Sequence, residues 1–427
     1  MGPKTASVSK TSRLVDRFLK YVRIHSASRD DVEDRFPSTP EQLEIAKVIE
    51  KDLREMGLSD IHLDENGYLF ATLPSNLPEP AKAPVIGFLA HVDTYPGVSG
   101  KDVRPVLHES YDGEDISLPG DPTQIIRVAD NPDLMLFKGE AVITTDGTTL
   151  LGADDKAGVA EILEAVARLQ EDPSIPRPTI RIGFTPDEEV GNGTAHFDLK
   201  AFGADYAYTL DGSAAEEIED ETFCADTVNV ILFGNDVHPG YARGKMINAL
   251  DLSARVIHSI PNGMRPETTD GRDGFIHPIG LTGDVSSAKL SFIVRDFSEP
   301  GLKAKEELLR RNAESIVGSF RGAKLDFEVK ESYRNMKMYL DRDPKPVEVA
   351  KLAIERAGLK PRMRPIRGGT DGARLSAMGL LTPNIGGGGR NFHSRQEWVA
   401  VPVLEQCTQV VIEIARLFAD GRTGRRD

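Results

Sequence analysis

Residues 84–93 read Pro-Val-Ile-Gly-Phe-Leu-Ala-His-Val-Asp, an apolar run that ends in the polar pair His91 and Asp93. A continuous apolar run of this length is typical of a strand that is covered on both faces of its sheet. We therefore predict a buried strand over residues 85–92. In open α/β sheets, functional side chains gather at the carboxyl ends of such strands, where the two polar residues stand.

Strands and helices alternate on both sides of this run. Strands are predicted at 67–73, 179–184 and 205–210, and helices at 12–24, 40–56, 154–169, 346–357 and 402–418. The alternation predicts an α/β fold. Thr39 and Gln42 have the spacing of a capping box before the second helix, and Pro40 suits its first helical position.

The pattern changes between Phe223 and about Glu331, where a strand, a helix, two strand-like runs, a helix and a strand follow one another. That order predicts a smaller α+β domain, residues 223–334, inserted into a larger domain formed by residues 1–222 and 335–427. Residues 95–145 are irregular and rich in Gly, Pro, Asp and Thr, so loops and short hairpins are predicted there.

Composition excludes several classes of function. The net charge is −15 and the isoelectric point about 5.2, which disfavours nucleic acid and anionic membrane as partners. Cys224 and Cys407 are too few for a disulfide framework or a thiolate metal site. No apolar run is long enough to span a membrane, and the residues before Ser12 lack a hydrophobic signal region, so we predict a cytoplasmic protein.

Polar residues that could carry chemistry stand at predicted strand ends and helix starts. They lie in the segments His91–Asp93, Gly152–Lys156, Thr185–Gly191 and Leu210–Gly212, and at His393. Each has an ordinary structural explanation when taken alone. The Asp154-Asp155 pair is compatible with a helix cap, the carboxylates at 187–189 with an exposed acidic turn, Asp211 with a turn and His393 with a plain loop.

Taken together, these segments supply a set of metal ligands. His91, Asp154, Glu189, Asp211 and His393 offer two imidazoles and three carboxylates, donors that suit paired zinc ions. Two Zn²⁺ ions bring four positive charges against three carboxylates, whereas one zinc ion would leave an excess of negative charge. The sequence therefore predicts a two-zinc centre.

The same segments, in chain order, resemble the peptidase T family, the tripeptide aminopeptidases among the co-catalytic zinc exopeptidases. The resemblance rests on HVD at 91–93, GADDKAG at 152–158, TPDEEVG at 185–191, YTLDG at 208–212, HPG at 238–240, RGGTDGA at 367–373 and His393. It implies a zinc-exopeptidase-like mixed sheet flanked by helices, with the inserted domain as lid and dimerisation domain of a homodimer. It also implies a hydrolase that releases the N-terminal residue from tripeptides in peptide catabolism.

The resemblance further implies a role for each polar residue. Asp154 would bridge the two zinc ions, with His91 and Asp211 completing one site and Glu189 and His393 the other. Glu188 would be the general base that takes a proton from the attacking water. Asp93 would orient His91 from behind, which its place two residues along an extended chain allows.

Three residues outside this set are assigned to substrate binding by the resemblance: His238, Arg295 and Arg367. A guanidinium matches a terminal carboxylate in bidentate fashion, so an arginine at a fixed distance from the metals would favour tripeptides. The alternative for Arg295, next to Asp296, is a surface salt bridge.

Two other functions stay open on the sequence. A related dizinc amidohydrolase would cleave N-acyl amino acids or dipeptides with the same metal chemistry, and an inactive relative would bind peptides without cleaving them. The glycine run 386–389 lacks the Lys-Ser/Thr ending of a phosphate loop. We expect it to give the chain a flexible approach to His393 instead.

Overall fold

The computed structural model describes residues 12–32, 34–79 and 82–421. The residues before Ser12, on which the cytoplasmic prediction depends, lie outside these ranges, and that prediction stays untested. Within the described ranges, no helix has both the length and the apolar character that a membrane crossing requires.

The chain divides into two compact units. Within the described ranges, unit 1 comprises the residues up to Asp220, then Tyr339–Arg364, then those from Thr370 onward, and unit 2 comprises Glu221–Met338 and Pro365–Gly369. Unit 2 therefore starts and ends within a few residues of the predicted inserted domain, 223–334, and also includes a short second segment. The assignment of this unit as a lid and dimerisation domain stays a prediction.

Unit 1 contains most of the helices and strands, which are numbered along the chain. Its helices are α1 (Arg13–Val22), α2 (Glu41–Glu55), α3 (Ala153–Glu171), α4 (Leu199–Phe202), α8 (Lys345–Arg356), α9 (Asp371–Met378) and α10 (Val401–Ala419), with α7 (Lys337–Leu340) at the boundary. Its strands are β1 (Ser59–Leu63), β2 (Leu69–Leu73), β3 (Ile86–His91), β4 (Val106–His108), β5 (Ile116–Ser117), β6 (Ile125–Ile126), β7 (Val142–Thr144), β8 (Ile180–Thr185), β9 (Tyr206–Gly212), β10 (Glu217–Thr222), β15 (Arg362–Ile366), β16 (Asn384–Gly386), β17 (Gly389–Arg390) and β18 (Trp398–Ala400).

The main sheet of the described chain has eight strands in the order β1-β2-β8-β3-β9-β16-β10-β15. Strand β3 pairs in parallel with β8 and β9, whereas β1, β2 and β10 run antiparallel to their neighbours. The predicted fold, a mixed α/β sheet flanked by helices, is confirmed. All six residues of β3 are buried, as its apolar sequence predicts.

Helix α3 is the central helix of unit 1. It packs against β3 and β9 and against α1 and α10, which explains why nearly all its side chains are buried. Its first turn is irregular: Gly152 has a φ of 82°, and Asp154 and Asp155 have non-helical φ/ψ angles. The two aspartates therefore lie in a turn before the regular helix.

The capping box predicted for α2 is wrong. The helix starts at Glu41, and the N-cap position is Pro40, with no side-chain cap. The side-chain amide of Gln42 donates instead to Thr39 Oγ1 at 3.0 Å and to Asp187 Oδ1 at 2.7 Å. A tertiary contact with the turn after β8 has thus replaced the local bond that the sequence spacing suggested.

Residues 95–145 form an elaboration of unit 1 with its own small core. Strands β4 and β7 join β17 and β18 in a four-stranded sheet, and β5 and β6 form a hairpin. Leu118, Ile126 and Leu134 pack with Trp398 in one buried apolar cluster. The segment is thereby attached to the chain that follows His393.

Unit 2 is a four-stranded antiparallel sheet packed against two helices. Its elements are β11 (Cys224–Phe233), β12 (Phe275–Gly283), β13 (Ser287–Asp296), β14 (Lys324–Tyr333), α5 (Ala249–His258) and α6 (Glu299–Gly318), and the strand order is β12-β13-β11-β14. Val228, Val230 and Leu232 alternate along β11 and face the core that the helices cover. This is the predicted α+β arrangement of strands and helices.

Candidate metal centre

The candidate centre is built where three neighbouring strands of the main sheet end. His91 is the last residue of β3, the TPDEEVG segment begins at Thr185, the last residue of β8, and Asp211 lies near the end of β9. The order β8-β3-β9 places these ends side by side, and His91 is paired in register with Thr185. The sheet therefore brings together residues from three distant parts of the sequence.

Asp154 lies between the two imidazoles of the centre. Its Oδ1 is 2.9 Å from His91 Nε2, and its Oδ2 is 3.2 Å from His393 Nε2. His91 Nε2 is also 3.7 Å from Asp211 Oδ1, and His393 Nε2 is 2.8 Å from Glu189 Oε2. All five sequence-predicted ligands are thus in one cluster, arranged as two halves that share Asp154.

Two groups of side chains in this cluster could hold a metal ion. One is His91, Asp154 and Glu189, and the other is His91, Asp155 and Asp211, each with donor atoms within 4.8 Å of one another. Asp155 was not among the predicted ligands. Its Oδ2 accepts a hydrogen bond from the backbone N–H of His91 at 3.2 Å, and its Oδ1 accepts one from that of Gly158 at 3.2 Å. Both carboxylate oxygens of Asp155 are therefore already bonded to the backbone.

The residues present fit a pair of zinc ions. Imidazole and carboxylate are the donors that zinc accepts besides thiolate. One donor atom, Glu189 Oε1, is buried without a hydrogen-bond partner among the described residues. A buried carboxylate oxygen without a partner carries a desolvation cost that a bound cation would remove.

The carboxylates of the cluster lie close together, and positive charge on the two imidazoles balances their negative charge. Burial, reinforced by the charge of Asp154, raises the pKa of Glu189 to about 7. Burial would lower the pKa of both histidines, but their carboxylate neighbours outweigh it: the pKa of His91 is raised well above its usual value and that of His393 to about 10. Without metal, the two imidazoles therefore hold protons and act as the counter-charges.

This protonation predicts that metal binding releases protons. A ligating imidazole must be neutral and the Glu189 carboxyl, with its pKa of about 7, must be ionised, so filling both halves at pH 7 should expel at least two protons per chain. Because the raised pKa values mean that protons compete with the metal, affinity should rise with pH and fall on acidification. Isothermal titration in buffers of different ionisation enthalpy measures the release, and a value near zero would contradict the ligation by His91 and His393.

Asp93 holds the turn that carries Glu188 and Glu189. Its Oδ1 accepts from the backbone N–H of Glu188 at 3.0 Å and its Oδ2 from that of Glu189 at 3.1 Å. Its carboxylate also lies 3.4 Å from His91 Nδ1, and its backbone oxygen 3.1 Å from the same atom. Asp93 therefore contacts both His91 and the backbone of the acidic turn, and it positions the turn relative to the imidazole.

The acidic turn is held from its other side by the loop before α2. Asp187, which has a φ of 55°, accepts from the backbone N–H of Ser38 at 2.6 Å and from the Gln42 amide at 2.7 Å. The Gln42 carbonyl accepts from the backbone N–H of Asp187 at 2.9 Å. Of the three consecutive carboxylates, Asp187 therefore anchors the turn, whereas Glu188 and Glu189 face the cluster.

Glu188 is half-buried beside the ligands and takes no part in the contacts that join them. Burial, followed by the charge of Asp211, raises its pKa well above the usual value for a glutamate. A carboxylate that stands beside the ligands without being one of them could take a proton from a water held there, as a general base must. Its assignment as the general base stays a prediction.

Two buried carboxylates of the centre were missed by sequence reasoning. Glu397 accepts from the backbone N–H groups of Leu151 and Gly152, each at 2.8 Å, and of Asp154, at 3.1 Å. It therefore ties the chain after His393 to the turn that carries Asp154. Asp371, in the RGGTDGA segment, accepts from Thr185 Oγ1 at 2.8 Å, and burial raises its pKa to about 7.

The three predicted substrate-binding residues belong to unit 2. His238 is exposed, and its Nδ1 accepts from the backbone N–H of Gly240 at 3.1 Å. Arg295 donates through Nη1 to the backbone oxygen of Arg367 at 3.3 Å, while its buried Nε has no hydrogen-bond partner among the described residues. The salt bridge considered for Arg295 with Asp296 is not formed, because Asp296 pairs with Lys305 at 2.6 Å.

Arg367 uses its terminal nitrogens within unit 2. Nη1 donates to the backbone oxygens of Gly271 and Asp273, each at 2.9 Å, and Nη2 contacts Thr269 Oγ1 at 3.1 Å. The guanidinium also lies over the ring of Phe223, 5.3 Å from its centroid. Arg367 therefore holds the loop 269–273, a structural task that the sequence did not suggest.

Comparison with known proteins places these features in a family. Residues 144–417 match the profile of peptidase family M20/M25/M40. The chain is 43% identical over 406 residues to peptidase T of Alkaliphilus oremlandii (strain OhILAs), covering 95% of this chain and 99% of that protein. It is also 43% identical over 407 residues to peptidase T of Clostridium acetobutylicum, with the same coverage.

Solved structures agree with the fold. The crystal structure of aminopeptidase PepT from Bacillus cereus superposes with a TM-score of 0.74 at 25% identity, covering 96% of this chain and 100% of that one. A tripeptidase from Staphylococcus aureus gives a TM-score of 0.75 at 21% identity, covering 97% and 100%.

Proposed function

Because this chain belongs to peptidase family M20/M25/M40, we propose that it releases the N-terminal residue from tripeptides at a two-zinc centre. It is an enzyme, a metallo-aminopeptidase, and its substrates are peptides. The observation that carries the proposal is the Asp154 carboxylate, which faces His91 at 2.9 Å and His393 at 3.2 Å. From this position the Asp154 carboxylate could bridge two metal ions, one on the side of each histidine.

We assign the ligands as the resemblance implied. Asp154 would bridge the two zinc ions, His91 and Asp211 would complete one half and Glu189 and His393 the other. When bound, such a pair of ions polarises the scissile carbonyl and lowers the pKa of an attacking water. Two observations support this assignment. Glu189 Oε1 is buried without a hydrogen-bond partner among the described residues, and Glu189 Oε2 lies 2.8 Å from His393 Nε2.

Glu188 would carry the proton during hydrolysis. Its carboxylate takes a proton from the water that attacks the peptide carbonyl and passes it to the nitrogen of the leaving peptide. Asp93 keeps Glu188 in place through the backbone N–H of that residue, at 3.0 Å. Asp187 and Gln42 restrain the same turn, so hydrogen bonds on both sides of the turn position the base.

Unit 2 would contribute to substrate binding and to dimer formation. We propose that His238 contacts the reacting carbonyl and that Arg295 and Arg367 help to hold the peptide. The buried Arg295 Nε, which lacks a hydrogen-bond partner among the described residues, supports a role in binding a carboxylate. Sedimentation of the purified chain tests the homodimer, which a monomer at micromolar concentration would contradict.

A peptide panel tests the proposed activity. We expect the zinc-loaded chain to release the N-terminal residue from free tripeptides and to leave N-acylated amino acids and dipeptides largely uncleaved. Chromatographic identification of the products shows which bond is cut. Activity confined to N-acylated substrates would instead indicate a related amidohydrolase, and binding without cleavage would indicate an inactive relative.

A further inference from the structure

We propose that Tyr95 is a positioning residue that fixes the imidazole of His393 and so sets the metal affinity of the half-site formed by His393 and Glu189. The inference rests on the ligand assignment in the proposed function and deepens it. It concerns a residue next to the HVD segment to which neither the motifs nor the charge pattern of the sequence assigns a task.

The two imidazoles of the centre are supported unequally. The side chain of His91 is only 2% exposed, and its Nδ1 lies 3.1 Å from the backbone oxygen of Asp93. The side chain of His393 is 42% exposed, and in the described part of the chain both its polar contacts run through Nε2. A histidine held at one nitrogen keeps freedom about its ring torsion, which is intrinsically broad.

The connection that carries His393 is held at its backbone, where Asn391 Nδ2 donates to the backbone oxygen of Gln396 at 3.0 Å and Ser394 Oγ to that of Asn391 at 2.7 Å. Asn391 has a φ of 55° and His393 a φ of 60°, in the left-handed region that residues other than glycine seldom occupy. Both residues lie in the connection between β17 and β18 rather than within a strand or helix. These bonds position the backbone and do not touch the imidazole, so the plane of the ring depends on its side-chain contacts.

Tyr95 supplies that support. Its ring is stacked on the imidazole of His393, with centroids 4.2 Å apart and an interplanar angle of 5°. A parallel stack defines the plane of the imidazole and leaves its Nε2 edge directed at Glu189, 2.8 Å away. The stack thus provides for His393 the orientation that a hydrogen bond provides for His91.

Tyr95 is itself well anchored. It follows Thr94, whose backbone N–H donates to Ser26 at 3.2 Å and which forms a β-bridge with Ala27. Gly97 lies against the ring of Tyr95. A Cβ atom at this position would come within 2.4 Å of Tyr95 Cε1. Gly97 has no positive φ, so a side chain there would disturb the ring of Tyr95 rather than strain the backbone.

Metal titration of the full chain tests the inference. Metal-free protein is titrated with Co²⁺, and the visible absorption of the bound ion separates the two binding steps. For Tyr95→Leu we expect one step to weaken about ten-fold while the other is unchanged. Tyr95→Phe, which keeps the ring, should titrate as the wild type does, and Gly97→Ala should weaken the same single step as Tyr95→Leu.

The outcomes separate this inference from the proposed function. If the wild type binds two ions and cleaves tripeptides while Tyr95→Leu binds both as tightly as the wild type, the positioning role is overturned and the function stands. Equal weakening of both steps by Tyr95→Leu would indicate a general structural role and would also overturn it. A wild type that binds fewer than two ions defeats the ligand assignment and the inference with it. Gly97→Ala provides the same comparison if Tyr95→Leu does not fold.

Discussion

Replacing Glu188 by glutamine is expected to lower kcat by about 10²- to 10⁴-fold while the chain keeps both metal ions. Glutamine has nearly the same shape as glutamate, so the turn and its backbone bonds to Asp93 should persist. The amide has no basic oxygen that could take a proton from water. The variant therefore removes the proposed proton acceptor and no proposed ligand.

The measurement pairs steady-state kinetics on a tripeptide with metal analysis of the same sample. Glu405→Gln is a matched control, because Glu405 is on α10 in a partly exposed salt bridge with Arg168 at 2.7 Å. It should retain the activity of the wild type, since such pairs contribute little. A near-normal kcat for Glu188→Gln would show that another group accepts the proton.

The second large effect is expected from Asp154→Ala. The loss of residues that merely orient ligands typically weakens metal binding about 10- to 100-fold, and a ligand shared by two ions should exceed the upper end of that range. The rate of hydrolysis should fall in parallel, because the variant would no longer bind both ions at the zinc concentration of the assay. The two histidines would also lose their common counter-charge.

Equilibrium dialysis against zinc, followed by metal analysis, measures this loss directly. Asp251→Ala is the control: Asp251 forms a surface pair with Arg255 at 2.9 Å, with both side chains more than half exposed. That variant should bind and cleave as the wild type does. Full binding of two ions by Asp154→Ala would remove the bridging assignment.

Much of the fold and of the candidate centre could be predicted because the information is local. The apolar run at 84–90 favours a buried strand by its length and its flanking residues, and β3 is buried at every position. The order of strands and helices likewise predicted the mixed α/β fold, and the motifs predicted the peptidase family. Both predictions are confirmed. The five proposed ligands could be chosen because they stand at predicted strand ends, at a helix start and at a late histidine that together resemble one family.

Other features could not be predicted because their partners are distant in sequence. Gln42 had the spacing of a capping box, yet its amide binds Asp187 across 145 positions. Glu397 binds the backbone near Asp154 across 243 positions, and no motif marks that pairing. Arg367 donates from its terminal nitrogens to the loop 269–273 across 94 to 98 positions, and its motif does not indicate these bonds.

The sequence alone determined which chemistry this protein can perform, because the number and kind of donor groups and the secondary structure that carries them are properties of local residue order. The tertiary structure alone decided how those groups are supported. Asp93 binds the acidic turn, Glu397 binds the turn at Asp154, and Tyr95 stacks on His393. Such contacts depend on distances between remote segments, which only the packed sheet establishes.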